Sequence, residues 1–377
     1  MSTIAAEPPL APHDTDELAE LVRTHPRPLE PVGGGSKRAI GRPVAADLLD
    51  LSAFTGIVAY EPDELVLTAR AATPLATLEQ ALAAHGQRFA FEPPDFGSLL
   101  GAERAQTIGG VLACNLAGSR RIAGGAARDH FLGFEAVSGR GERFKAGGKV
   151  VKNVTGYDLP KLMAGSWGTL AVLTEVTLRV APVPETERTL LVQADTPARA
   201  LEILTLAMNS SCDVSSAAYD PWQGAALRLE GFDASVTARL TALLELLGNA
   251  ETETLAHDRS RALWIKHAGA HALADWAIVW RISVPPSHAP AVLASLEPER
   301  YVLDWAGGLI FAAYANLDPA RVRGALREGH ATLIKAPVAA RATTCSFQPP
   351  SASLAAAFDR IKAAFDPNHR LNPRRLD

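Results

Sequence analysis

A chain of 377 residues exceeds what one ordinary hydrophobic core supports and suits two domains. Its hydrophobic fraction of 47% and charged fraction of 21% are those of a globular protein, and a net charge of -4 supplies no electrostatic pull toward nucleic acid or an acidic membrane surface. Three cysteines, Cys114, Cys212 and Cys345, form no CxxC pair, which argues against a cysteine-held iron–sulfur cluster or zinc site in this chain and suits a reducing compartment.

In chain order, residues 1–13 read as a loose Pro- and Ala-rich lead without the basic and apolar regions of a secretion signal. No apolar run approaches a membrane span, so a cytoplasmic location is expected. Leu18, Leu21 and Val22 have helical spacing, closed by Pro26 and Pro28. A strand over 29–32 runs into Gly33-Gly34-Gly35-Ser36-Lys37, where successive glycines let the backbone approach an anion and aim several N–H groups at it. Taken alone the loop also suits a flexible turn. It is not a Rossmann fingerprint, because Arg38 stands where the third glycine belongs, and the Gly-Lys-Ser/Thr of a Walker loop is absent. Strands over 57–60 and 65–71 follow, with Leu65, Leu67 and Ala69 on one face. A helix N-capped at Thr73 buries Leu75, Leu78 and Leu82 and ends at Gly86, and a strand over 88–91 closes the unit.

The stretch Gln106-Thr107-Ile108-Gly109-Gly110 opens a helix whose small residues leave room for a ligand at its first turn, where free N–H groups and the positive dipole end suit a pyrophosphate. Residues 131–137 and 143–146 read as a hairpin turned at Gly139-Arg140-Gly141. Residues 152–159 lead into a short helix, Gly165-Ser166-Trp167-Gly168 turns, and a β-rich run over 170–180 ends before Pro182 and Pro184. Beyond Thr189 the pattern is an α+β unit, with strands near 190–192, 214–219, 225–229, 277–284, 309–314 and 331–334. Its helices are expected near 197–208, where Thr196 is the cap, and near 234–247, 259–268 and 319–328. A final helix over 354–365 leads into Phe365-Asp366-Pro367 and Asn372-Pro373.

The three glycine pieces, with Gly147-Gly148-Lys149 and Thr155-Gly156-Tyr157-Asp158-Leu159 between them, resemble the PCMH-type FAD-binding domain of the vanillyl-alcohol oxidase superfamily. The Phe365-Asp366-Pro367 and Asn372-Pro373 tail is similar to that of its 2-hydroxy-acid dehydrogenase branch, and the whole resembles the FAD-binding subunits of bacterial glycolate oxidases. The resemblance implies an α+β fold: a two-subdomain FAD-binding domain over 1–184, an α+β cap over 185–340, and a segment over 341–377 returning to the first domain. It places Gly33, Gly34, Gly35, Ser36 and Lys37 along the pyrophosphate. Thr107, Gly109, Gly110, Asn115 and Gly118 would line the pyrophosphate and flavin edge, with Val172 against the dinucleotide and Asn372 near the flavin ring. It implies a sister FAD subunit and an iron–sulfur subunit as partners, a small 2-hydroxy acid as substrate, and a peripheral place at the membrane through those partners.

Two departures matter. Gly35 and Ser36 stand where covalent relatives carry a histidine after the first glycines, which implies non-covalent FAD. The His-x-His pair and His-Gly-Asp/Glu segment of catalytic caps are absent, and His267 and His271, spaced i, i+4, are read as packing or surface residues, so no metal is expected. Oxidising a 2-hydroxy acid needs a base for the hydroxyl proton and a cation for the carboxylate, for which Arg281, Lys335 and Arg341 are the cap candidates and Tyr314 a polar neighbour. Trp264, Trp276 and Trp280 read as core aromatics, as does Tyr157. Two roles stay open: substrate oxidation on this flavin, or an FAD held for structure or electron relay beside a sister chain that performs it. An NADPH-dependent reductase on the same fold is a third reading.

Overall fold

The computed structural model describes residues 9–148, 156–316 and 318–377. Lys149, Lys152, Asn153, Val154 and Thr155 of the sequence motifs lie outside them. The first unit runs α1 (Thr15–Thr24), β1 (Leu29–Val32), β2 (Asp47–Asp50), β3 (Ile57–Glu61), β4 (Val66–Arg70), α2 (Leu75–Ala83), β5 (Gln87–Phe89), α3 (Gly97–Leu100), α4 (Ile108–Cys114), α5 (Arg121–Gly124), β6 (Phe131–Ser138), β7 (Arg143–Gly147), α6 (Leu159–Met163) and β8 (Ala171–Pro182). The second runs β9 (Thr186–Val192), α7 (Pro197–Met208), β10 (Ser216–Asp220), β11 (Gly224–Gly231), α8 (Asp233–Leu247), β12 (Thr252–Leu255), α9 (His257–Ala268), β13 (Ile278–Ser283), α10 (Ala289–Leu296), β14 (Arg300–Asp304), β15 (Leu309–Tyr314), α11 (Pro319–Gly324) and β16 (His330–Lys335). The tail carries α12 (Val338–Thr343) and α13 (Ala352–Phe365).

Three sheets organise these elements. β1 and β2 form a small parallel pair, and β3-β4-β8-β6-β7 an antiparallel sheet that β5 joins through β8. The second unit is one antiparallel sheet of eight strands, ordered β12-β9-β11-β10-β14-β15-β13-β16. The chain then returns: Leu29 N donates to Arg370 O at 2.7 Å and Asn372 N to Leu29 O at 3.0 Å, which adds the tail to the edge of β1.

Local sequence explains most of this. Asp14 accepts from the Asp16 and Glu17 amides to start α1, and Leu18 and Val22 are fully buried beneath it. Leu75, Leu78 and Leu82 fix the inner face of α2, against Leu67, Ala69 and Val176 of the first sheet. Thr73 does not cap α2. Its hydroxyl instead bonds the carbonyls of Arg70 (2.6 Å) and Gly56 (3.1 Å), and Pro74 takes the cap position without a side-chain bond. β2, β12, α10, β14 and α12 were not anticipated; Thr252–Leu255 and Asp47–Asp50 are too short and too polar to show a period. The α11 helix stops at Gly324, short of the expected residue 328.

The core of the second unit lies on one face of the large sheet, where Leu227, Trp280, Ile310 and Leu333 meet Leu204 of α7, Leu243 of α8 and Leu293 of α10. The opposite face looks at the first unit. There Val279, Phe311, Val302 and Ile334 meet Ile40, Phe96, Leu99 and Trp167 in a shared apolar layer. Beside it lies a buried ionic cluster. Arg228 makes a forked pair with Glu92 at 2.9 and 3.1 Å, while Glu230 meets Arg88 at 2.6 Å and Arg120 at 3.2 Å. Burial alone would push Glu230 up, but Arg228, Arg120 and Arg88 outweigh it and hold the carboxyl down at about 2.

Candidate cofactor site

The glycine loop leaves β1 at Val32 and lies flat against residues 105–107. A Cβ on Gly34 would sit 1.8 Å from the Ala105 carbonyl oxygen, and one on Gly33 2.6 Å from the Thr107 hydroxyl, so neither position accepts a side chain. Gly35 adopts φ +73°, which turns the chain into Ser36 and Lys37. The backbone N–H groups of Gly33, Gly34, Gly35, Ser36 and Lys37 find no acceptor among the described residues. Five successive unpaired amides in a partly buried loop make a ready anion seat.

α4 brings a second glycine piece against the loop. Its first amides are spoken for: Ile108 N donates to Thr73 O at 3.1 Å and Gly109 N to Ala71 O at 2.7 Å. The missing side chain of Gly109 admits Ala71, the residue after β4, since a Cβ there would lie 2.8 Å from it. Gly110 differs. Its amide has no acceptor among the described residues, and a Cβ would meet only the Thr107 hydroxyl, at 3.3 Å. Among the first three amides of α4, that of Gly110 alone is left free by the described residues.

The tail closes the far side. Asp366, fully buried, accepts from the Arg370 and Leu371 amides and from Lys362 Nζ at 2.6 Å, and Gly139 leaves room for it. Asn372 donates from Nδ2 to Trp167 O at 2.9 Å, while its buried Oδ1 has no partner. Arg375 Nη2 donates to the carbonyls of Lys37 (3.1 Å) and Arg38 (3.0 Å), with Nη1 3.6 Å from Glu30. It thus ties the Lys37 and Arg38 carbonyls to the returning tail. Lys37, 8% exposed, donates to Gln106 Oε1 at 2.9 Å, and burial lowers its pKa. Between these pieces opens a cleft lined by both glycine segments, Trp167, Asn372 and Arg375.

The comparisons with known proteins give the family and the fold. A family model described as an FAD binding domain matches residues 9–147. Glycolate oxidase subunit GlcE of Escherichia coli is 36% identical over 355 residues, which is 93% of this chain and 92% of that protein. The chain belongs to the GlcE family. Glycolate oxidase subunit GlcD of Bacillus subtilis is also 36% identical, but over 186 residues, 48% of this chain and 38% of that one. A solved alkyldihydroxyacetonephosphate synthase shares the fold with a TM-score of 0.69 at 18% identity, covering 97% of this chain and 76% of its own.

The cavity of this member of an FAD-binding family is lined by the unpaired amides, by the buried Lys37 and Arg375, and by Asn372, whose carbonyl oxygen has no partner. Gly33, Gly34, Gly35, Ser36, Lys37, Thr107, Gly109, Gly110, Val172 and Asn372 all line it. Asn115 and Gly118 do not. Asn115 is the left-handed cap of α4, φ +49°, and its Oδ1 accepts from Arg128 N at 3.1 Å. Gly118 donates to Glu92 O and accepts from Trp305 Nε1 at 2.9 Å, joining the two units. Sequence reasoning missed Arg375 as a loop anchor and Cys114 and Trp167 as wall residues.

Two of the three cap candidates for a carboxylate clamp are bonded elsewhere, while the buried Nε of Arg281 has no hydrogen-bond partner. Lys335 Nζ donates to Ala274 O at 2.6 Å, and Arg341 donates to Gly41 O at 3.0 Å and Ala336 O at 3.3 Å. Arg281 lies 4.8 Å over the Trp305 ring, its pKa lowered by burial to about 10. Tyr314 faces the core of the second unit, away from the cavity. His267 bonds Leu303 O at 3.0 Å. Trp264 and Trp280 are buried as expected, but Tyr157 is 90% exposed rather than in the core. Asp158 caps α6 by accepting from Lys161 N at 3.2 Å.

Proposed function

We propose that the chain is the FAD-binding subunit of a glycolate, or related 2-hydroxy-acid, oxidase complex, with FAD held non-covalently. The row of five unpartnered amides from Gly33 to Lys37, locked by Arg375, carries the reading. Bound FAD supplies a two-electron acceptor for the oxidation of the CH–OH of a 2-hydroxy acid. The chain's own part is to seat the pyrophosphate on these amides and on Gly110, to offer Asn372 Oδ1 to a cofactor donor, and to hold Lys37 and Arg375 as buried countercharges.

The likeness to two differently named glycolate oxidase subunits supports a multisubunit complex with a sister FAD chain. Three scattered cysteines supply no cluster here, which supports an iron–sulfur partner as the exit for electrons. No helix among the described residues is long and apolar enough to cross a membrane, and any membrane association runs through those partners from the cytoplasmic side.

Copurification of the tagged chain with its companions, followed by flavin extraction and glycolate-dependent dye reduction, tests the proposal. The expected result is acid-extractable FAD on this chain and dye reduction lost on its deletion. A folded chain that stays colourless with added FAD, or a complex that turns over without it, refutes the proposal.

A further inference from the structure

Taking the ligand's chemical class from the reading above, on which it rests, we propose that Arg281 anchors a small-carboxylate site at the seam between the two units. Arg281 stands on β13 between its register partners, Phe311 of β15 and Thr332 of β16, on the sheet face that looks at the first unit. It is 7% exposed, and its buried Nε has no hydrogen-bond partner. Its two Nη atoms likewise form no hydrogen bond or ion pair among the described residues. A whole guanidinium fork is thus buried at this seam without an acceptor.

The groups around it leave that vacancy unfilled. The Trp305 ring, 4.8 Å away, meets the flat face of the cation but accepts none of the N–H groups in its plane. Asp304, the carboxylate whose charge it feels, is fully buried and committed: it accepts from Ser119 Oγ at 2.7 Å and from Trp305 N at 2.8 Å. Arg121 of α5, paired with Asp129 at 3.3 Å, adds positive charge from the first unit, and His330 is pushed toward its neutral form by burial and by Arg281. Burial lowers the Arg281 pKa to about 10, so the group stays charged near neutrality. A buried charge with unbonded donors calls for an anion, and a carboxylate is the planar two-oxygen group that fits such a fork.

The position suits a small acid handled beside a cofactor. Phe311 and Trp305 belong to the same apolar layer as Trp167 and Cys114, two walls of the cofactor cavity, and Trp305 Nε1 donates to Gly118 O at 2.9 Å. β13 has a neighbour on each side, β15 and β16, so the anchor stands on a paired strand and not on a loop. Lys335 and Arg341 differ from it in the decisive respect, because each donates to backbone carbonyls.

A binding role and a structural role for Arg281 differ in sign. An arginine kept only to hold the seam together would cost stability when replaced by methionine. An arginine kept for a ligand is an uncompensated charge in the empty protein, so the apolar side chain leaves the fold at least as stable. The bound acid then stabilises the parent by mass action and does nothing for the variant.

The test is anaerobic calorimetric titration of the full-length chain, with and without FAD, using oxalate and glycolate as probes and glycolamide as the uncharged control. The parent is expected to bind both acids saturably and glycolamide not at all. Arg281→Met is expected to bind them at least about tenfold more weakly, and Arg281→Lys to lose less, because an ammonium keeps the charge without the fork. Oxalate is expected to raise the melting temperature of the parent and leave that of Arg281→Met unchanged. Should Arg281→Met fail to fold, Arg281→Lys and the Arg281 Nε–H resonance of the parent, expected to shift on oxalate addition, carry the test. Absence of saturable binding by the FAD-loaded parent overturns the site, as does equal affinity in the parent and the variants. A folded chain that takes up no FAD yet binds oxalate through Arg281 overturns the cofactor reading and supports the site.

Discussion

Replacing Gly110 by alanine separates a cofactor role from a structural one, because its two effects have opposite signs. Gly110 lies in the first turn of α4, and a Cβ there meets only the Thr107 hydroxyl at 3.3 Å. Once the Thr107 hydroxyl yields by a few tenths of an ångström the methyl fits, and exchanging glycine for alanine within a helix then stabilises by up to about 1 kcal/mol. The same methyl adds to the wall of the cavity that Gly110 lines with its free amide. A hydrogen bond to a charged group is worth about 1.5–3 kcal/mol, so losing it weakens FAD binding roughly 10- to 150-fold. Gly109→Ala is the control. Its Cβ would sit 2.8 Å from Ala71, so overpacking costs the fold about 1–3 kcal/mol, with any FAD effect following from that loss. Urea unfolding of the apo proteins and FAD titration by fluorescence measure both quantities. A Gly110→Ala protein that is stabilised yet binds FAD as tightly as the parent refutes the placement of this amide at the cofactor.

Gly34→Ala, with its Cβ 1.8 Å from Ala105 O, must displace the loop, and is expected to lose measurable FAD binding by equilibrium dialysis while keeping its far-UV signal. Arg375→Ala frees the carbonyls of Lys37 and Arg38; FAD affinity is expected to fall, with Arg375→Lys restoring only part of it because one ammonium cannot reproduce the fork. Glu230 has a folded pKa of about 2 against 4.5 for the free group, a difference worth about 3 kcal/mol. Because the folded value is the lower one, that stability is complete above pH 4.5 and drains away as pH falls from there toward 2. Thermal unfolding between pH 3 and 7, in steps on the order of half a unit, should show a flatter acid limb in Glu230→Gln than in the parent, and parallel limbs would refute the assignment. Cys114 lines the cavity and burial pushes its thiol up to about 11, so alkylation is expected to be slow near neutrality, to quicken toward that pKa, and to be blocked by bound FAD.

What the sequence made legible follows from the range over which each signal acts. Gly33-Gly34-Gly35 and Thr107-Ile108-Gly109-Gly110 are local signals, and both pieces do line one cavity. Yet sequence treats every glycine alike. Only the fold shows that Gly109 makes room for Ala71 while Gly110 faces the cavity, and that Gly118 and Asn115 close turns. The helices with leucine stripes were readable because burial imposes their period, whereas Thr252–Leu255 and Arg300–Asp304 are strands chiefly because neighbouring strands demand partners.

The cationic side chains mark the sharper limit. Arg281, Lys335 and Arg341 look in sequence like any arginine or lysine that could clamp a carboxylate, and their partners (Trp305, Ala274 O and Gly41 O) lie 24 to 300 residues away. The buried cations that border the cavity, Lys37 and Arg375, are 338 residues apart and meet only because the tail returns to β1. Charge in this protein is thus used twice in ways that composition hides: to aim a row of amides at a diphosphate, and to fasten the cap against the unit that carries it.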